Sequence, residues 1–162
     1  MVWGRNKEKS EEYSSYMMNL GFKVKICDSP AHVTDTCNLI ITTTAASEPI
    51  LFADDIQPGT HITAMGSDTS AKQELDPNIM EKADCVVTDS ISQCIKRGEI
   101  SHALRDEKLK KNNIVELGHV LKGQHPGRTA QGQITVADLT GVAVQDIQIA
   151  TAVYESFMEN ES

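Results

Sequence analysis

The chain has 162 residues, of which 40% are hydrophobic and 23% are charged, so its size and composition fit a single globular domain with a packed core. Its net charge of -8 leaves no basic excess to neutralise phosphates, which argues against a nucleic-acid partner. No apolar run reaches the ~20 residues of a membrane span, and the first residues lack the apolar stretch of a signal peptide. These features predict a cytoplasmic protein without a membrane or nucleic-acid partner.

Short apolar runs alternate with amphipathic segments along the whole chain. Strands are predicted at 2–3, 22–28, 38–44, 60–66, 84–90 and 134–139. Helices are predicted between and after them, at 6–20, 29–36, 76–83, 90–104, 115–122 and 142–159. This alternation is typical of an α/β fold with a mostly parallel sheet and flanking helices.

The first and last helices have the clearest sequence patterns. Asn6 is a suitable N-cap and Gly21 a suitable C-cap for the first helix. The last helix has apolar residues around most of its circumference, from Val142 to Phe157, which predicts burial over most of its surface. The glycine-rich segment 122–133 is interpreted as a mobile or ligand-covering loop.

The cysteines and histidines show no spacing typical of a metal site. The cysteines form no C-x-x-C pair and lie in or beside apolar segments, which favours buried free thiols: Cys27, Cys37, Cys85 and Cys94. The histidines form no H-x-H or H-x-x-x-H pattern. We therefore predict no bound metal.

Three predicted strand ends have polar or small residues where open parallel sheets bind ligands. They are Trp3-Gly4-Arg5-Asn6, Thr42-Thr43-Thr44-Ala45-Ala46-Ser47 and Met65-Gly66-Ser67-Asp68. Each fits a structural role when taken alone: Arg5 as a solvated side chain, the threonines as strand formers, and Asp68 as a helix cap or turn residue. Their convergence on one edge of one sheet predicts a ligand site.

Four stretches, in this order, resemble one known family: VWGRN, IITTTA, TAMGSDTSAKQELD and ITVADLTGVAVQD. The chain is similar over essentially its whole length to the ornithine cyclodeaminase/mu-crystallin family, and most similar to the cyclodeaminase-like subgroup of ectoine utilisation. The resemblance implies a partial Rossmann-type NAD(P)-binding domain at 1–140. Residues 141–162 would form a helix that returns towards the dimerisation and substrate domain.

The same resemblance implies an activity and site residues. Members deaminate and cyclise an amino acid or reduce an imino acid with NAD(P), whereas the mu-crystallin type offers a non-catalytic, nucleotide-binding alternative. Asp68 matches the family's catalytic acid/base. Cofactor contacts are implied for Gly4, Arg5, Asn6, Thr43, Thr44, Ala45, Met65, Gly66, Ser67 and Gly141. No acidic residue closes the first strand, so Arg5 favours NADP over NAD.

The chain departs from the family pattern in two places. Leu139 stands where a serine often precedes Gly141. The chain also opens at what would be the second strand, without the first strand and the glycine-rich turn that binds the pyrophosphate. A truncated form of this kind is expected to be inactive alone and to self-associate through an unpaired sheet edge. Arg128 is a candidate partner for a substrate carboxylate.

Overall fold

The computed structural model describes residues 1–160. Its strands are β1 (Leu39–Thr42), β2 (Ser47–Leu51), β3 (His61–Ala64), β4 (Gln73–Leu75), β5 (Cys85–Thr88), β6 (Ile114–Glu116) and β7 (Thr135–Asp138). Five of them form one parallel sheet in the order β1-β3-β7-β5-β6. This sheet confirms the predicted fold class, and its first four strands in that order match predicted strands.

The helices lie close to their predicted positions. They are α1 (Lys7–Asn19), α2 (Pro30–Thr34), α3 (Asn78–Lys82), α4 (Ile91–Cys94), α5 (Glu99–Arg105), α6 (Leu117–Leu121) and α7 (Ala143–Asn160). The helix predicted at 90–104 is divided into α4 and α5. Gly98, which precedes α5, has a φ of 81°, a conformation that no helix continues through.

The apolar core is built around β7, in the middle of the sheet. Ile62 of β3 and Val86 of β5 both align with Val136 of β7, and all three side chains are buried. Ile79 of α3 and Ile100 of α5 are also fully buried in the same cluster. Residues aligned in neighbouring parallel strands point to the same face of a sheet, so this core lies on one face.

Two parts of the sheet structure differ from the prediction. β2 and β4 pair as a separate two-stranded parallel sheet that the sequence did not predict. The predicted strands at 2–3 and 22–28 are reduced to one parallel bridge between Val2 and Ile26. β4 is held by hydrogen bonds to residues that are distant in sequence, Thr44 and Glu99, and a local sequence pattern does not contain such contacts.

β1 lies at the edge of the five-stranded sheet. Its alternate side chains Leu39 and Ile41 are 62% and 61% exposed, whereas Ile40 between them is buried. One face of this edge strand is therefore apolar and open. An edge of this kind is a template for pairing with another strand.

The burial predicted for the C-terminal helix is wrong for this chain. Every residue of α7 from Ala143 to Glu159 is exposed, including Val153 and Phe157. Its apolar residues therefore form no part of the core described above. No helix among residues 1–160 combines the length and the apolar character that crossing a membrane would need.

Candidate functional site

The carboxyl ends of β1, β3, β5 and β7 meet at one edge of the sheet because these strands are parallel neighbours. Two predicted groups follow directly from β1 and β3: Thr43, Thr44 and Ala45, then Met65, Gly66, Ser67 and Asp68. Gly141 lies shortly after β7. This edge is where open α/β sheets bind ligands.

The third predicted group lies outside this sheet. Gly4, Arg5 and Asn6 follow the bridge between Val2 and Ile26 and lead into α1. Asn6 is the N-cap of α1, since its Oδ1 accepts a hydrogen bond from the Lys9 N–H at 3.1 Å. Arg5 is exposed. Asn6 thus has a structural role of its own, and Arg5 remains accessible to a ligand.

A buried carboxylate that the sequence analysis did not select joins the loops after β1 and β3. Glu74 of β4 is 0% exposed. Its Oε1 accepts the Thr44 N–H at 2.5 Å, and its Oε2 accepts the Gly66 N–H at 2.9 Å. One side chain thereby holds two strand-end loops together, and this contact also anchors β4. In sequence, Glu74 lies in the polar run KQELD, which resembles an exposed segment.

Gly66 is required by the packing of the protein itself. A Cβ at this position would lie 2.2 Å from the Thr44 carbonyl oxygen and 2.5 Å from Glu74 Cδ. Both distances are far shorter than van der Waals contact, and neither neighbour is the end of a flexible exposed side chain. The glycine therefore allows the two loops and Glu74 to meet, independently of any ligand.

Asp68 is exposed and forms an ion pair, with Lys72 Nζ 2.7 Å from its Oδ1. The hydrogen bond from Lys72 holds the pKa of Asp68 below its ordinary value. The backbone of Lys72 is held in place, because its carbonyl oxygen accepts the Ser67 hydroxyl at 2.6 Å and lies 2.8 Å from His102 Nε2. The loop thus presents an ionised carboxylate at the sheet edge, with the Ser67 hydroxyl turned inward.

Replacing Lys72 should change the titration of Asp68. In Lys72→Met, the pKa of Asp68 is expected to rise towards its ordinary value, because the hydrogen bond and the nearby positive charge are both lost. Carbon-detected NMR of the carboxyl resonance across pH measures this change. Lys108→Met is the matched control, since it breaks the ion pair with Glu81 instead. An unchanged Asp68 titration in Lys72→Met would contradict the assignment.

Gly141 is held by groups that follow β5. Its N–H donates to Asp89 Oδ2 at 2.8 Å, and its carbonyl accepts Gln93 Nε2 at 2.5 Å. Its φ of 79° favours glycine, and no other atom lies within 4 Å of the position a Cβ would take. The backbone here is therefore both fixed and open on its outer side. Asp89 and Gln93 are positioning residues that the sequence analysis missed.

Two further buried carboxyl groups lie behind the strand ends. Glu99 of α5 accepts the N–H groups of Glu74 and Leu75 at 2.7 and 3.1 Å, and Asp138 of β7 accepts the Ile100 N–H at 2.8 Å. Burial raises the pKa of Glu99 to about 8 and that of Asp138 to about 7, and neighbouring carboxylates add to both shifts. These groups therefore titrate near neutral pH.

The glycine-rich loop lies at the opposite end of the strands, where their amino ends meet. The Arg128 guanidinium donates to the carbonyl oxygens of Gly59 and Thr60 at 3.0 and 2.9 Å. A depression of about 620 Å³ lies where β1 and β3 begin; Arg128 lines it, and none of the predicted catalytic or cofactor-binding residues does. Arg128 is thus engaged with backbone at that edge, which argues against the role in substrate binding considered for it.

The strand-end loops suit an extended ligand with polar groups. Thr43 and Ala45, after β1, and Met65, after β3, are exposed, and the outer side of Gly141 is open. Arg97 contributes a positive charge that acts on Asp68, and its buried Nε has no hydrogen-bond partner among the described residues. The open backbone at Gly141 and the unpaired Arg97 Nε both fit a dinucleotide, which has polar and phosphate groups along its length. The residues present are compatible with such a cofactor.

A family model for ornithine cyclodeaminases and mu-crystallins matches residues 1–161. The chain belongs to the ornithine cyclodeaminase/mu-crystallin family. It is 37% identical over 163 aligned residues to an uncharacterized cyclodeaminase of Sinorhizobium fredii, covering 99% of this chain and 49% of that relative. The resemblance inferred from the four sequence motifs is thereby confirmed.

Solved structures of related enzymes have the same fold. An archaeal alanine dehydrogenase dimer with bound NAD superposes with a TM-score of 0.90 at 31% identity, over 99% of this chain and 49% of that one. Δ1-pyrroline-2-carboxylate reductase of Thermococcus litoralis, in complex with NADH and L-proline, gives a TM-score of 0.91 at 25% identity, over 99% and 50%. The chain thus spans about half the length of these family members.

Proposed function

We propose that this chain forms the NAD(P)-binding part of an enzyme that acts on the α-carbon of a small amino or imino acid. The observation that carries the proposal is the edge of the sheet where loops after β1, β3 and β7 converge on an exposed, ionised Asp68. A nicotinamide cofactor supplies hydride transfer when it is bound. Related proteins with bound NAD or NADH and this fold support the cofactor class.

Each strand-end loop has a separate task in this proposal. Thr43, Thr44 and Ala45 bind the cofactor near a ribose, and Met65, Gly66 and Ser67 lie towards its nicotinamide end. Gly141 lets the backbone approach that end closely, because its outer side is open. Gly4, Arg5 and Asn6 meet the adenosine ribose. These assignments agree with the exposed position of Thr43, Met65 and Arg5.

Asp68 moves the proton in this reaction. An aspartate is ionised at neutral pH, and the hydrogen bond from Lys72 lowers the pKa of Asp68 further, so its resting form can accept a proton as a general base. It accepts a proton from the amino group of an amino acid that is being oxidised. In the reverse direction, the protonated carboxyl group returns the proton to an imino group. Its exposed position leaves room for a substrate beside it.

Calorimetric titration of the purified chain with NADH and with NADPH tests the cofactor site. We expect micromolar binding, and tighter binding of NADPH if the Arg5 guanidinium meets a 2′-phosphate. Absence of heat with both cofactors, from a chain that circular dichroism shows to be folded, would overturn the proposal. That result would favour a non-catalytic interaction role for the chain.

A pair of variants assigns any preference between the two cofactors. Arg5→Gln should weaken NADPH binding about tenfold and leave NADH binding unchanged, since only NADPH has a 2′-phosphate on its adenosine ribose. Lys111→Gln removes another exposed cation, from the 3-10 turn Lys111–Asn113 that precedes β6, and it is the matched control. Equal weakening by both variants would mean that net charge, and not Arg5, causes the preference.

A further inference from the structure

We propose that Glu74 is a positioning residue that fixes the spacing between the two strand-end loops of the cofactor edge, an inference that rests on the proposed function. The loops come from different parts of the chain: Thr44 is 30 residues before Glu74, and Gly66 is 8 residues before it. Within residues 1–160, no backbone hydrogen bond joins Thr44 directly to Gly66. The side chain of Glu74 joins the two loops instead, because it accepts one hydrogen bond from each.

A carboxylate suits this position for a chemical reason. Two backbone N–H groups point at it, one for each oxygen, and both oxygens of the Glu74 side chain accept them. A glutamine would keep one acceptor and place an NH₂ donor against the second N–H group. Because the site is fully buried, the group left without an acceptor finds no water to replace it. The geometry therefore selects a carboxylate in particular.

Glu74 is held in place by its own surroundings. Its N–H donates to Glu99 Oε1 at 2.7 Å, and the Leu75 N–H donates to Glu99 Oε2 at 3.1 Å. The backbone of β4 also pairs with β2. On the other side, Gly66 lies so close to Glu74 that no side chain fits between them. The carboxylate thus joins the two loops to a rigid base within the domain.

This arrangement determines which groups of the loops remain for a ligand. The N–H groups of Thr44 and Gly66 are consumed internally, so they are not the donors that a phosphate or carboxamide would use. The exposed groups beside them are Thr43 and Met65. Glu74 therefore sets the distance between the loop of Thr43 and Thr44, which is proposed to bind the cofactor, and the loop of Gly66 that leads to Asp68.

Amide hydrogen exchange tests the contact without any cofactor. In the wild-type chain, the amides of Thr44 and Gly66 should exchange at least tenfold more slowly than those of Thr43 and Ala45. In Glu74→Gln, exchange at Thr44 or Gly66 should rise about tenfold or more. Equal exchange at all four wild-type positions would overturn the proposal even if the variant fails to fold.

Asp76→Asn is the matched control, because Asp76 is a carboxylate two residues away that also accepts backbone N–H groups, from Ala53 and Asn78. It should change exchange at those two positions and leave Thr44 and Gly66 protected. Glu74→Gln should also weaken cofactor binding about tenfold, whereas Asp76→Asn should not. Equal affinity in wild type and Glu74→Gln would overturn the positioning role. If wild type binds no cofactor, the proposed function fails, while the exchange data still decide the contact.

Discussion

Gly66→Ala is expected to lower the free energy of unfolding by about 3 kcal/mol, the upper part of the range for overpacking a buried site. The added methyl group would lie 2.2 Å from the Thr44 carbonyl oxygen and 2.5 Å from Glu74 Cδ. The two loops must therefore separate or Glu74 must leave its place, and either change breaks buried hydrogen bonds. Urea denaturation of the variant and of wild type measures the difference.

Gly132→Ala is the matched control for this substitution. No atom lies within 4 Å of the position its Cβ would take, and its φ is not positive. It should change the free energy of unfolding by less than about 1 kcal/mol. A Gly66→Ala variant as stable as Gly132→Ala would show that the loops after β1 and β3 do not meet as described.

The contribution of Glu99 and Asp138 to stability is expected to decrease as pH rises. Their ordinary pKa values are 4.5 and 3.8, and burial raises them to about 8 and about 7 in the folded chain. Below the ordinary values, both states are protonated. Between the ordinary and the raised values, the unfolded chain releases protons that the folded chain retains, so ionisation favours unfolding. Above about pH 8 the loss is complete.

Urea denaturation at several pH values between about 5 and 8 checks this dependence. Glu99→Gln cannot ionise, so it should reduce the slope of unfolding free energy against pH by up to about 1.4 kcal/mol per pH unit. Glu48→Gln, at an exposed position, is the matched control and should leave the slope unchanged. Parallel curves for Glu99→Gln and wild type would mean that Glu99 is already ionised in the folded chain at these pH values.

Four strands of the main sheet could be predicted from sequence because their own side chains favour them. Residues 39–42, 61–64, 85–88 and 135–138 lie within short apolar runs, a pattern that favours strands. β4, by contrast, is a three-residue strand in a polar run, ordered by hydrogen bonds to residues 24 and 30 positions away. Local patterns contain no information about such contacts.

Burial of α7 was predicted wrongly for a related reason. Its apolar pattern describes which side chains favour a nonpolar environment, but not whether residues 1–160 provide one. In this chain, its apolar residues remain exposed. Periodicity identifies a helix from the helix alone, whereas burial depends on the surfaces available around it.

The positions of the residues after β1 and β3 could be predicted from sequence, whereas the contacts that hold their loops together could not. The strand-end residues Thr43, Met65 and Asp68 follow from the topology of a parallel sheet. Glu74 does not, because a glutamate in a polar segment is exposed far more often than it is buried. The glycine at position 66 was interpreted as an approach to a ligand, whereas its close contacts are with Thr44 and Glu74.

The close contact between Gly66 and Glu74 limits which residues at the carboxyl ends of the strands can be changed. A mutant library aimed at a different cofactor preference should keep both residues fixed, because changing either alone disturbs the other. Thr43, Ala45 and Met65 can be randomised more freely, since their side chains are exposed. Selection for altered cofactor specificity would then vary the exposed loop residues and leave the buried contact between Gly66 and Glu74 intact.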